Sequence, residues 1–120
     1  MDIRCNNIHE LFDAGIIWAN SNNNSNFYGS SGDDGKLCLR KSSASSLDKV
    51  YTSISITSVN VPEDLRGKGL YSKFLADIEE LHIFGAREHG CIKNERLKQK
   101  YIREGLIENH SGHLLKIMNE

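Results

Sequence analysis

The most constraining feature of the sequence is a long strand followed by a glycine-containing basic turn and a helix. Residues 50–61 are rich in β-branched side chains, which favour strands. The turn contains Arg66-Gly67-Lys68-Gly69, and from Leu70 the apolar residues recur at the spacing of one helical face. The first N–H groups of a helix lack internal partners and lie at the positive end of its dipole. The junction therefore predicts an anion site that suits a pyrophosphate.

The predicted strand carries a change of register. Ile54 and Ile56 share one face, whereas Val59 and Val61 share a face of the opposite parity. Because side chains alternate strictly along a strand, the change requires one extra residue. The pattern predicts a β-bulge within residues 57–60, and such bulges bend strands and are frequent beside active sites.

The rest of the chain predicts alternating helices and strands. The expected helices cover residues 7–20, 69–81 and 94–104, with Asn7 and Asn94 as N-caps. Further strands are expected over residues 36–41, 83–86, 106–108 and 113–118, the last two as a hairpin. Two polar stretches are expected as loops, residues 20–35, with a short strand at Phe27 and Tyr28, and residues 42–49. This order predicts an α/β (α+β) fold with helices packed on a mixed sheet.

Length and composition narrow the class of protein. A chain of 120 residues makes one domain, so we expect residues 1–120 to fold as a unit. No apolar run approaches the roughly 20 residues of a bilayer span, and no signal peptide pattern is visible. Three widely spaced cysteines favour a reducing cytoplasm. With 15 basic and 16 acidic residues the net charge is −1, which argues against nucleic acid as a partner.

Three phosphate-binding patterns compete for the basic turn. A P-loop needs Ser or Thr after its lysine, but Gly69 follows Lys68. A dinucleotide fingerprint beginning at Gly67 lacks its third glycine, because Ser72 stands there. The acyl-coenzyme-A pattern [QR]-x-x-G-x-[GA] fits residues 66–70 and departs at Tyr71, where the pattern has a small residue. The alternative is a basic turn that only caps a helix.

A second motif lies downstream of the turn. Asn94, Tyr101 and Gly105 have the spacing N-x(6)-Y-x(3)-G, followed by an apolar residue. With one helix and a short strand between the two motifs, residues 50–108 resemble the GNAT superfamily of N-acetyltransferases. The resemblance implies a mixed, mostly antiparallel central sheet with a bulged central strand and flanking helices. The bulge falls where that family splays its strands to admit the acetyl-pantetheine arm.

The same resemblance implies acetyl-CoA as co-substrate, without a metal, and roles for particular residues. Tyr101 would protonate the departing thiolate, and Asn94 would contact the coenzyme-A arm. The main chain of the bulged strand would bind the pantetheine arm through Val59, Asn60 and Val61. The N–H groups of the turn would hold the pyrophosphate at Arg66, Gly67, Lys68, Gly69, Leu70 and Tyr71. A tyrosine has an ordinary pKa of about 10 and so holds a proton to donate at neutral pH. Its alternative role is that of a core aromatic packed on Leu97.

The general base and a metal site are not fixed by the motifs. Glu63, His82 and His113 are candidate bases, and a base acting through water is the alternative. The pair His110 and His113 supplies too few ligands for zinc.

The sequence also leaves alternatives open for the acceptor substrate and for the class of function. The resemblance implies an amine acceptor, which could be a protein lysine, a protein N-terminus, a polyamine or a small drug-like amine. The short chain favours an open groove and therefore a macromolecular acceptor. A homodimer is left open. The alternatives to an enzyme are a GNAT-fold module that acts through protein contact and a phosphate- or nucleic-acid-binding regulator. The second of these depends on a basic face of the helix over residues 94–104.

Overall fold

One mixed sheet organises the molecule. The computed structural model describes residues 2–46, 49–90, 95–108 and 113–118. Its strands are β1 (Asp2–Cys5), β2 (Phe27–Ser31), β3 (Lys36–Ser46), β4 (Lys49–Asn60), β5 (Ala86–His89), β6 (Ile107–Glu108) and β7 (Leu114–Ile117). Its helices are α1 (Ile8–Ala19), α2 (Leu70–Glu80) and α3 (Glu95–Arg103), with a 3-10 turn at Glu63–Leu65.

The strand order confirms the predicted architecture. The seven strands of the described ranges lie in the order β1-β2-β3-β4-β5-β7-β6. The pairs β1/β2 and β4/β5 are parallel, and the other four pairs are antiparallel. The sheet is therefore mixed and mostly antiparallel, with β4 at its centre.

The predicted bulge is present in β4. Cys38 pairs with Ser58 and Leu39 with Ile56, so Thr57 is the extra residue. Its Oγ1 donates a hydrogen bond of 3.1 Å to the main-chain oxygen of Cys38. Because of this extra residue, the side chain of Val59 points to the same apolar core as that of Ile56. The change of parity in the sequence therefore keeps one face of β4 apolar from Ile54 to Val59.

The core lies between one face of the sheet and helices α1 and α2. Phe27, Leu37 and Ile54 from the strands are fully buried against both helices. Gly15 of α1 allows this close approach, since an added Cβ would stand 2.8 Å from the Leu37 side chain. Trp18 is a core aromatic, and its indole N–H donates to the Ser25 carbonyl at 2.9 Å.

The helix ends follow the sequence signals. The Asn7 side chain accepts the Glu10 N–H at 3.0 Å and caps α1. Gly105, with φ of 98°, ends α3. The Leu106 N–H donates to the Tyr101 carbonyl at 3.1 Å, which closes a Schellman motif. None of the helices in the described ranges is long and apolar enough to cross a membrane.

Strand limits were the weakest predictions. The loop expected over residues 42–49 is wrong, because β3 and β4 continue as a hairpin in which Ser43 pairs with Thr52 and Ser46 with Lys49. Cross-strand hydrogen bonding supports this polar segment, and composition does not reveal that pairing. Strand β5 begins where the predicted strand ended, at Ala86. Strand β1 was not predicted, and β2 extends the short strand expected at Phe27 and Tyr28.

Candidate functional site

A cleft opens between β4 and β5, where the two strands part. Their parallel pairing runs as far as Ile56 opposite His89, and the Gly90 N–H donates to the Ile56 carbonyl at 3.2 Å. Past that point the described part of β4 pairs only with β3. One edge of residues 57–60 therefore presents main-chain groups to the gap, where an extended ligand can pair as an added strand would.

This first cleft has a volume of about 270 Å³. Its walls are residues 56–59 of β4 together with the side chains of Tyr71, His89, Leu97 and Tyr101. The bulge, the opening of the sheet and the predicted proton donor Tyr101 therefore meet at one place.

A second cleft, also of about 270 Å³, lies at the N-terminus of α2. Gly67 and Gly69 in its wall have φ of 76° and 78°, in the left-handed region that favours glycine. An added Cβ at either position would meet nothing within 4 Å, so the turn is open to a ligand. The first main-chain bond into α2 runs from the Lys73 N–H to Gly69. In the described part of the chain, no group accepts the N–H groups of residues 67–72, and this arrangement fits a pyrophosphate.

Arg66 has a different role from the rest of the turn. Its main-chain N–H donates to the Glu63 carbonyl at 3.3 Å. Its guanidinium donates to the Val61 carbonyl at 2.8 Å and to the Asn60 side chain at 3.2 Å. Arg66 therefore fixes the turn to the end of β4. The cationic side chain that lines this second cleft from across it is Lys100 of α3.

Tyr71 connects the two clefts, because it lines both. Its ring packs beside those of Phe12 and Phe74, each 6.4 Å away between centroids. Its hydroxyl lies 3.5 Å from Nδ1 of His89. The large residue at the small-residue position of the motif therefore points into the protein and leaves the glycine turn open.

Tyr101 is buried, with 5% of its surface exposed, and its ring stacks on His89 with centroids 4.8 Å apart. Burial raises the pKa of Tyr101, whereas the charge of Arg87 and a hydrogen bond from Tyr71 lower it. The phenol therefore holds its proton at neutral pH. Tyr101 is also a packed aromatic residue, because its side chain forms a small core with Leu106 and Leu114.

Two functional candidates on β5 were missed by the sequence reasoning. His89 is 3% exposed, and its Nε2 accepts the Nε–H of buried Arg87 at 2.9 Å. Arg87 in turn pairs with Glu79 of α2 at 3.2 Å. Burial, together with the charge of Arg87, lowers the pKa of His89 to about 3, so its imidazole is neutral. The strand predicted from the sequence stopped at Ala86, so Arg87 and His89 were not placed on it. Residues two apart share a face only within a strand, and β5 in fact runs to His89.

The three candidate bases do not line the first cleft. Glu63 begins an exposed 3-10 turn, and His82 follows α2 with φ of 54°. His113 Nδ1 lies 2.9 Å from a carboxylate oxygen of Glu88, which alternation along β5 places on the face opposite His89. Within residues 2–46, 49–90, 95–108 and 113–118 no group of three metal-ligating side chains is found. Asn94, predicted to contact the coenzyme, and His110 lie outside the described residues.

Solved structures share this architecture. One is a mutant of the toxin AtaT bound to the C-terminus of the antitoxin AtaR and acetyl-CoA, with TM-score 0.52 and 16% identity over 70% of this chain and 58% of that chain. The KacTA–DNA complex matches with TM-score 0.52 and 17% identity, over 70% of this chain and 58% of that chain. AtaT complexed with acetyl-methionyl-tRNAfMet matches with TM-score 0.52 and 14% identity, over 69% of this chain and 61% of that chain. No protein-family model and no curated protein matches the sequence.

These likenesses define the fold. The neighbours are GNAT-family acetyltransferases, so the GNAT-like fold predicted from the two motifs is confirmed. The chain spans about three fifths of the length of these neighbours (58–61%). One neighbour holds DNA and another holds tRNA, so they give no support to the expectation against nucleic acid as a partner.

Proposed function

We propose that this protein is an acetyl-CoA-dependent N-acetyltransferase. The observation that carries the proposal is that Tyr71 lines both clefts, so that they lie side by side. One end is a glycine turn with free N–H groups, and the other is a buried phenol beside a bulged strand edge. A ligand with a pyrophosphate at one end and a thioester at the other matches this path in chemistry and order.

Main-chain and side-chain groups of this protein bind different parts of acetyl-CoA. The N–H groups of residues 67–71 hold the pyrophosphate, and Lys100 adds positive charge across the cleft. The free edge of β4, including Val59 and Asn60, pairs with the pantetheine arm. By resemblance, Val61 and Asn94 complete the contacts with that arm. Acetyl-CoA supplies an activated acetyl thioester, and the protein orients it.

The reaction is direct transfer to an amine. Main-chain N–H groups at the bulge polarise the thioester carbonyl, in the manner of an oxyanion site. Tyr101 donates its proton to the sulfur as the carbon–sulfur bond breaks, a contribution of roughly 10²–10⁴ in rate for general acid catalysis. None of the three candidate bases lines the first cleft, which favours loss of the amine proton through water.

The acceptor is proposed only as a class of amine. A protein lysine or a protein N-terminus is one candidate. A neighbour complexed with acetyl-methionyl-tRNA adds the α-amino group of an aminoacyl-tRNA. The basic residues Lys100 and Arg103 in the last turn of α3 are compatible with a phosphate-bearing acceptor. A reducing cytoplasm remains the proposed compartment.

Intact-mass spectrometry tests the transfer. The protein is incubated with acetyl-CoA and, separately, a lysine peptide, a peptide with a free N-terminus, spermidine and methionyl-tRNA. Appearance of one acetyl group on any acceptor, formed more slowly with Tyr101→Phe, supports the enzyme. Binding of acetyl-CoA without transfer to any acceptor supports the module that acts through protein contact. Neither binding nor transfer would contradict both.

A further inference from the structure

Tyr71 departs from the acyl-coenzyme-A motif and occupies the centre of the candidate site. Its hydroxyl meets the edge of His89, on whose face the ring of Tyr101 stacks. Both tyrosines line the first cleft, and both also line a groove between α2 and α3. Two phenols and one imidazole are therefore held together where a single phenol would suffice to donate a proton.

The donors and acceptors in this group have a defined order. Arg87 Nε–H donates to His89 Nε2 at 2.9 Å, so the ring proton of a neutral His89 is on Nδ1. That proton faces the Tyr71 oxygen, 3.5 Å away. The Tyr71 hydroxyl is then free to donate into the cleft and the groove that it lines together with Tyr101. The hydroxyl of Tyr71 also lowers the pKa of Tyr101. The observed order of donors is therefore Arg87, His89 and Tyr71, and the oxygen of Tyr101 is the acceptor that we infer for Tyr71.

We propose that Tyr71, with His89 and Arg87 behind it, is a positioning residue that stabilises the oxygen of Tyr101 while Tyr101 gives up its proton. This inference rests on the proposed acetyl transfer. It assigns a function to the residue at which the sequence departs from the motif. It also assigns a role to the buried pair of Arg87 and His89, which orients the hydroxyl of Tyr71.

The chemistry of the step requires such support. A thiol has an ordinary pKa of about 8.5 and a phenol one of about 10, so transfer of the phenol proton to the leaving thiolate is uphill without stabilisation of the phenolate. The carbon–sulfur bond breaks, its electron pair goes to sulfur, and the Tyr101 O–H bond breaks as an S–H bond forms. The ammonium proton of the attacking amine returns to the Tyr101 oxygen through water in the cleft. The net products are the amide and the free thiol.

The charged groups around the two phenols come from four elements. They are Arg87 on β5, Glu79 on α2, Lys116 on β7 and Lys100 on α3, together with Glu104 just after the end of α3. Glu79 binds both Arg87 and Lys116. Arg87 therefore keeps a carboxylate partner in any variant that alters only Tyr71 or His89.

Tyrosine titration tests the inference without catalysis. The chain contains four tyrosines, so a protein labelled with carbon-13 at the tyrosine ζ carbon gives four signals that Tyr→Phe variants assign. In Tyr71→Phe, Tyr101 is expected to titrate about one pH unit or more higher, because a hydrogen bond to a charged oxygen has been removed. Tyr28→Phe, at an exposed residue of β2, is the matched control and leaves the titration of Tyr101 unchanged. Circular dichroism at each pH checks folding.

A second variant covers the case in which Tyr71→Phe does not fold. His89→Phe keeps an aromatic ring against Tyr101 and removes the Nδ1–H donor, and it is expected to shift Tyr101 in the same direction. An unchanged titration of Tyr101 in whichever variant folds would overturn the role of Tyr71.

Kinetics separate this inference from the proposed function. With methionyl-tRNA as the probe amine, kcat of Tyr71→Phe is expected to fall roughly 10-fold while KM for acetyl-CoA stays within about twofold. An active wild type with an unchanged kcat in Tyr71→Phe would overturn the inference alone. A wild type that binds no acetyl-CoA and transfers no acetyl group would overturn the proposed function, and the positioning role of Tyr71 with it.

Discussion

Substitution of Gly69 separates the anion site from ordinary helix capping. Gly69 has φ of 78° and precedes α2, and an added Cβ would meet nothing within 4 Å. Gly69→Ala therefore introduces strain without a clash. Left-handed strain costs about 1–2 kcal/mol, and the lower entropy of the unfolded chain offsets about 0.4–1 kcal/mol of it. The expected net destabilisation is about 1 kcal/mol, or about 3–5 °C in Tm for a chain of this size.

Gly105→Ala is the matched control for this strain. Gly105 has φ of 98°, ends α3 and has the same open surroundings. Both alanine variants are expected to lose similar stability. Only a change at Gly69 is expected to weaken acetyl-CoA binding, and Gly69→Glu, which places a carboxylate in the turn, should abolish it.

Differential scanning fluorimetry with and without acetyl-CoA measures both effects. For wild type, ligand at 100 times Kd stabilises the folded state by about 2.7 kcal/mol, a shift of several degrees. Gly105→Ala should keep this shift, and Gly69→Glu should show none. A full shift in Gly69→Glu, or its loss in Gly105→Ala, would refute the assignment of the turn as the pyrophosphate site.

Three further predictions follow from single side chains. Tyr101→Phe should lower kcat by roughly 10–10³ and leave acetyl-CoA affinity nearly unchanged, as steady-state kinetics and calorimetry will measure; an unchanged kcat would exclude Tyr101 from the mechanism. The Asp33 carboxylate accepts the Ser31 hydroxyl and the Ile8 N–H, and these bonds, the Ser31 bond first, lower its pKa. Its stabilising effect is therefore present above the unfolded pKa of about 3.9 and is lost as pH falls through the lower folded value, so urea midpoints of wild type and Asp33→Asn should converge in acid. Equal midpoints at neutral pH would contradict this. Lys41 Nζ donates to the carbonyls of Trp18, Ser21 and Asn23 at 2.8–3.0 Å, so Lys41→Met should lower Tm in fluorimetry while keeping the acetyl-CoA shift; an unchanged Tm would refute this role.

Local patterns predicted the parts of the fold that depend on neighbouring residues. The parity change around Thr57 indicated the bulge, and Asn7 and Gly105 marked helix ends, because each signal acts within one turn or one strand. The hairpin that continues β3 and β4 depends on pairing between these two polar segments, and the place of β5 depends on pairing with β4 and β7, which are distant in the sequence. Serine-rich composition in the hairpin and the polar sequence of β5 carry no alternation that reveals this pairing.

The candidate site divides in the same way. The glycine turn and Tyr101 were predicted, because motif spacing marks both. The inward position of Tyr71 and the buried pair of Arg87 and His89 were not, because they depend on how α2 and α3 pack against β5. Side chains gathered from three elements leave no contiguous signal in the sequence.

A crystal structure of the protein with acetyl-CoA tests the central claim most directly. We expect the pyrophosphate against the N–H groups of residues 67–71, the pantetheine arm along the free edge of β4, and the thioester sulfur within hydrogen-bond reach of the Tyr101 hydroxyl. A coenzyme bound elsewhere, for example over the outer strands β1–β3, or a Tyr101 hydroxyl out of reach of the sulfur, would contradict it.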